Sequence, residues 1–328
     1  MEGNPLVKLT ELRERGSITC EQLEAVLSEF KNAEGLPHAL HQVGSQCLKP
    51  TSPARRIEAA LDVLTLGWLQ LNDAKVALDL YCQGALLLSI RTHRQALDGA
   101  LRVIELARGV SQRTGVPAPE LDFHEATVCA HLADLGDDPD RNRARAMDLF
   151  ESAGRNIEAG PNKAQAYRNA GRLAQTLAEK GVDEKRNLER GVRLHHTAAL
   201  LLEEGSDEWG AARIVEGNLR SRIALLNLGD EELNMVRAAE IFREVSARLP
   251  IQSQLRVGCR LNEGNACFLL AKMGRSEPQN VRRALELYSE AAALFPKNSR
   301  EGRYCRERVE NCIALLEIIE REIQRQRR

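Results

Sequence analysis

Four asparagines recur at nearly constant spacing: Asn169, Asn218, Asn265 and Asn311, which lie 49, 47 and 46 residues apart. A primary amide presents an acceptor oxygen and two donor hydrogens, the same complement as a peptide unit. A row of such amides therefore suits an extended backbone and depends little on that chain's side chains. Arg172, Arg222 and Phe268 follow these asparagines by three or four residues. That spacing puts them on the same helical face. Two arginines there favour an acidic ligand, because guanidinium and carboxylate make charge-assisted, bidentate contacts.

Catalytic patterns are missing from the rest of the chain. There is no P-loop, HExxH, GxSxG or dinucleotide fingerprint. His124, Cys129 and His131 lie close in sequence. On a helix, 124 and 131 stand two turns apart, too far for one zinc ion, and Cys129 points elsewhere. No metal or cofactor is expected, and no enzyme. His195 is adjacent to His196 and takes a slot filled elsewhere by Phe150, Phe242 and Tyr288, so it reads as a packed ring. Glu203/Glu204 and Glu231/Glu232 read as solvated faces or helix ends.

The 46 Lys and Arg nearly balance the 47 Asp and Glu, giving a net charge of −1. That balance argues against nucleic acid, which selects a basic surplus. Hydrophobic residues make up 43% of the chain and aromatics only 4%, a composition that favours helices over sheets. None of the eight cysteines forms a CxxC pair. They read as free thiols in a reducing compartment. With no apolar run long enough for a membrane span and no signal-like start, a cytoplasmic protein away from the membrane is expected.

Repetition supplies the elements that must position these residues. Four segments open alike, at Asn142 (NRARAMDLFESA), Asn187 (NLERGVRLHHTA), Asn234 (NMVRAAEIFREV) and Asn280 (NVRRALELYSEA), 45, 47 and 46 residues apart. Each follows a polar loop. Within each, a small residue, an aromatic-type residue four later and a small or β-branched residue three after that share one helical stripe. The sets are Ala146/Phe150/Ala153, Gly191/His195/Ala198, Ala238/Phe242/Val245 and Ala284/Tyr288/Ala291. Pro250 and Pro296 fall where two of these B helices must stop. A second helix, A, precedes each segment. Glu216-Gly217-Asn218, Glu263-Gly264-Asn265 and Glu310-Asn311-Cys312 mark it, Arg168-Asn169-Ala170-Gly171 fits more loosely, and His124-Glu125-Ala126 reads as an earlier member.

The stretches GNACFLLAKMG…RALELYSEAAALFP and RAAEIFREVSARLP resemble the tetratricopeptide repeat in their small–aromatic–small–proline spacing. The period of about 46 exceeds that family's 34 and matches HEAT and armadillo arrays better. The internal spacing favours tetratricopeptide, with longer A helices and A–B loops. This long-loop form is similar to repeats found beside caspase-like CHAT proteases in bacteria. The resemblance implies an all-α protein, an α-solenoid of helix pairs in a right-handed superhelix. It also implies that the asparagines face a concave groove and grip a peptide. The expected function is a non-catalytic scaffold or adaptor for a protein or peptide partner. Alternatives are a regulatory or sensing subunit of a bacterial protease or defence system, and a helical repeat that binds a small molecule or nucleic acid.

Residues 1–50 are expected to hold a helical hairpin, 54–118 degenerate repeats, 119–298 the main array and 299–328 a capping helix. Within these, 48–53 reads as a linker, 54–71 as helical, and 72–113 as a further A–B pair through Ala100, Ile104 and Ala107. Thr19 with Gln22 makes a capping box in the hairpin.

Overall fold

The asparagines that open the four segments close the loops before their helices. Asn187 Nδ2 donates to the Val182 carbonyl, Asn280 Nδ2 to that of Arg275 and Asn234 Nδ2 to that of Asp230, each at 2.8 Å, and Asn142 does the same to Asp137. In two of these loops Asp138 and Asp183 sit in left-handed backbone at φ 38° and 41°, a conformation that Asp tolerates better than most residues. The side-chain bond and the turn together aim the chain into the next helix.

The structure is a computed structural model that describes residues 74–326 except 276 and 297. Among these residues there are eleven helices and no strand. They are α1 (Ala74–Ser89), α2 (Arg94–Thr114), α3 (Glu120–Asp134), α4 (Pro139–Asn156), α5 (Pro161–Glu179) and α6 (Glu184–Ala199), then α7 (Asp207–Leu225), α8 (Glu231–Arg248), α9 (Gln254–Lys272), α10 (Glu277–Leu294) and α11 (Arg300–Gln326). The readings on 1–50 and 54–71 lie outside the described residues. Among the described residues no helix is long and apolar enough to cross a membrane.

The chain divides into two compact units, one up to Ile157 and one from Glu158. In the first, α1 packs on α2 and α3, and α3 on α4. The expected pair over 72–113 is α1 and α2, whose Leu88, Leu97, Ala100 and Ile104 join Leu121 and Val128 in one core. In the second unit each helix from α5 to α11 packs on its successor, and the A helices α7 and α9 also touch. This is the solenoid-like succession of helix pairs that the repeat spacing calls for. The long α11 lays Val309, Cys312, Leu316 and Ile319 against the core it shares with Tyr288 of α10.

The repeat stripe works by close approach. A Cβ built on Gly217 of α7 would lie 2.7 Å from the Phe242 ring of α8. On Gly171 of α5 it would lie 2.6 Å from the His195 ring of α6, and on Gly264 of α9 3.2 Å from Tyr288 of α10. Glycine on helix A thus seats the aromatic of helix B. Gly217→Ala is expected to destabilise the second unit by about 2 kcal/mol through overpacking. Gly258→Ala, on α9 with nothing within 4 Å of the new carbon, is expected to stabilise it by about 0.5–1 kcal/mol through helix propensity. Urea unfolding of the two variants measures both; equal effects would show that the aromatic seat is not the reason for the glycine.

Candidate functional site

The glycine–aromatic seats set the register of the A helices. Gly171, Gly217 and Gly264 occupy equivalent places, 46 and 47 residues apart. The residue after each is Arg172, Asn218 and Asn265. Arg172, and not Asn169, is therefore level with Asn218 and Asn265; Asn169 lies almost one turn earlier.

The residue before each glycine is Ala170, Glu216 and Glu263. Both glutamates are buried, 1% and 0% exposed, as is Glu125 at 7% in the first unit. Carboxylates at such depth need partners. Glu263 accepts from Arg243 Nε of α8 at 2.9 Å and from Arg283 Nε of α10 at 3.1 Å. Glu216 is held by Arg213, by Arg220 at 3.1 Å, and by His196 of α6, whose Nδ1 lies 3.2 Å away. Glu125 takes Arg108 of α2 at 2.6 Å and Arg145 of α4. Each carboxylate joins its A helix to a neighbouring B helix. The signal was present in the sequence as an arginine before the small residue of helix B, 20 residues after Glu125 and Glu263. In α5 the position is alanine.

Two concavities open along the second unit. One, of 470 Å³, is lined by Gln165, Arg168, Asn169, Arg172 and Gln175 of α5, by His195 of α6 and by Ala211, Ala212 and Val215 of α7. The other, of 840 Å³, continues from the shared Arg168 and Ala211 to the start of α7 and to Gln252, Ser253 and Leu255 at the start of α9. Ser253 Oγ donates to Asp207 Oδ1 at 2.7 Å and pins these two A-helix starts together.

Of the residues expected to bind a ligand, the smaller cavity gathers Asn169 and Arg172. Asn169 is half-buried and accepts from Gln165 at 2.8 Å. Arg172 is exposed. Asn218 is exposed and accepts from Asn262 Nδ2 of α9 at 3.1 Å, so amides do bridge adjacent A helices. Asn265 is half-buried, and its oxygen accepts from the hydroxyls of Tyr288 (2.6 Å) and Tyr304 (2.8 Å). Asn311 is exposed on α11. Arg222 is paired with Glu184 at 3.1 Å and Glu179 at 3.5 Å, which neutralise it. Phe268 packs beside the core of Cys267, Tyr288 and Cys312, with Lys272 Nζ 5.9 Å from its ring centre. Gln165, Arg168 and Gln175 carry no signal of a site in the sequence, because their positions relative to a cavity depend on α7.

His195 fills the aromatic slot and is 5% exposed, yet neither ring nitrogen has a hydrogen-bond partner. Burial, with the Arg168 charge adding to it and Glu216 opposing, lowers its pKa to about 4. The ring is therefore neutral at physiological pH. His124 is also buried, and desolvation lowers its pKa to about 4. Among the described residues no three His, Cys, Asp or Glu side chains group as metal ligands. The six described cysteines are free. Burial pushes the thiols of Cys82 and Cys259 up to about 12 and those of Cys129, Cys267 and Cys312 up to about 11. These thiols pack as small apolar groups.

No protein-family model matches the chain, and no curated protein is significantly similar to it.

Proposed function

We propose that the chain is a non-catalytic interaction protein, tetratricopeptide-like in its repeat, that holds an extended segment of a protein partner across its A helices. The observation that carries this reading is the pair of adjoining concavities over α5, α7 and α9, which share Arg168 and Ala211. Its walls combine amides, Gln165, Asn169, Gln175 and Gln252, with apolar Ala211, Val215 and Leu255. Amides match a peptide backbone, and the small apolar floor admits side chains. Asn218 with Asn262 extends the amide surface further along α7 and α9.

Ala211 gives the test. It lies half-exposed on the floor common to both concavities, so Ala211→Arg fills the groove without entering the core. The expected result is a wild-type chain that co-purifies with a stoichiometric protein partner from its host, and an Ala211→Arg chain of equal thermal stability that loses at least about 90% of it, a tenfold change in affinity or more. Full retention by the variant, or a wild-type chain with no stoichiometric partner, overturns the reading.

A further inference from the structure

The cavity of 470 Å³ between α5 and α7 is polar and cationic. Arg168 and Arg172 stand four residues apart on α5 and both line it. Among the described residues neither is ion-paired, whereas Arg213, Arg220, Arg222, Arg243 and Arg283 of the same unit all are. No carboxylate is found in the lining, which otherwise comprises amides, an imidazole and small apolar side chains. Like charges one helical turn apart repel, and nothing in the wall offsets that repulsion. The A helix that carries them is the one in which alanine, Ala170, replaces the buried glutamate of α7 and α9. The same cavity is lined by His195, which is 5% exposed and has both ring nitrogens unpartnered. Buried polar groups are hydrogen-bonded as a rule, and an exception asks for a missing partner.

We infer that this cavity is a binding site for a compact oxyanion, the phosphate or carboxylate group of a small ligand, held by Arg168 and Arg172 with Gln165, Asn169 and Gln175 as neutral donors. Two guanidinium groups supply the charge and the paired N–H geometry that such oxygens accept. The volume is that of a small-molecule site, and the apolar wall of Ala211, Ala212 and Val215 would take the carbon skeleton. The inference does not rest on the polypeptide reading: a chain that takes up an oxyanion but recovers no protein partner separates the two.

The test is calorimetric titration of the full chain with inorganic phosphate and, separately, with succinate, at ionic strength held constant with chloride. The expected result is saturable one-to-one binding of at least one probe, with phosphate and succinate telling the two oxyanion classes apart. Arg168→Gln and Arg172→Gln are each expected to weaken it by about tenfold or more, the loss of one charge-assisted contact. Arg222→Gln, whose guanidinium is already neutralised by Glu179 and Glu184, is expected to leave it unchanged. The His195 ring resonances provide a readout independent of heat and are expected to shift on binding in the wild type and not in Arg172→Gln. Absence of saturable binding by either probe, or equal affinity in wild type and Arg172→Gln, overturns the inference.

Discussion

Arg243→Ala combined with Arg283→Ala is expected to lower the stability of the second unit by about 4 kcal/mol, the cost of stranding a buried charge. Glu263 is 0% exposed, and these two arginines, from the B helices on either side of its own, are its charge partners. With both removed, a carboxylate stays in the interior without compensation. Glu263→Ala alone is expected to cost less, about 2–3 kcal/mol, mainly as a cavity and lost charge-assisted bonds. The arginines that it leaves behind are 58% and 37% exposed and can turn to water. Adding Glu263→Gln to the double arginine variant is expected to restore about half of the loss, because a neutral amide is far cheaper to bury than a carboxylate. Glu317→Ala, which breaks an exposed pair with Arg321 at 3.1 Å, is expected to change stability by less than about 0.5 kcal/mol. Urea midpoints at pH 7 order these four variants. A double arginine variant no worse than Glu317→Ala would mean that Glu263 is hydrated or protonated in the fold, and the account of the A–B joints would fail.

Mild acid is expected to weaken both units. His124 and His195 each have a folded-state pKa of about 4, against about 6.5 for an unfolded histidine. The unfolded chain then binds protons that the folded chain refuses. Stability from this source is complete above about pH 6.5, declines as pH falls through the interval, and levels off below about pH 4. Each histidine accounts for about 3 kcal/mol over that interval, His124 in the first unit and His195 in the second. His195→Phe puts in its slot the ring that Phe150 and Phe242 carry in equivalent slots, and removes two unpartnered nitrogens. It is expected to flatten the acid response of the second unit and to raise its stability at pH 7 by about 1 kcal/mol. Urea titrations at pH 7, 6, 5 and 4.5 on wild type and variant check this. Superimposable profiles would show that His195 is not protonation-sensitive, and a steeper profile in the variant would reverse the sign of the argument.

Much of the fold was legible in one dimension. Helix and repeat are local properties: spacings of three and four define the stripe, and the interval from Asn142 to Asn187, Asn234 and Asn280 defines the pair. The further pair before residue 114 and the long last helix follow from the same patterns. The reason for the leading asparagines, a bond to a carbonyl four or five residues back, is local too.

The candidate site was legible only in part, because a side chain's availability is settled by what packs beside it from other helices. Asn265, Asn218 and Arg222 looked alike as members of one face. In the folded chain Asn265 is occupied by tyrosines of α10 and α11, Arg222 by carboxylates at the end of α5 and the start of α6, and Asn218 by Asn262 of α9. Asn169 matched the series by residue type, but the seat of His195 on Gly171 puts Arg172 in that place. The all-helical repeat and the stripe on which it stacks follow from residue spacing, since both depend on periodicity along one helix. Which amides on the A helices stay open, and which arginines stay unpaired, beside a cavity follows from packing between helices. That outcome depends on charges and hydroxyls brought from elsewhere in the chain, and on one alanine where the neighbouring A helices bury a glutamate.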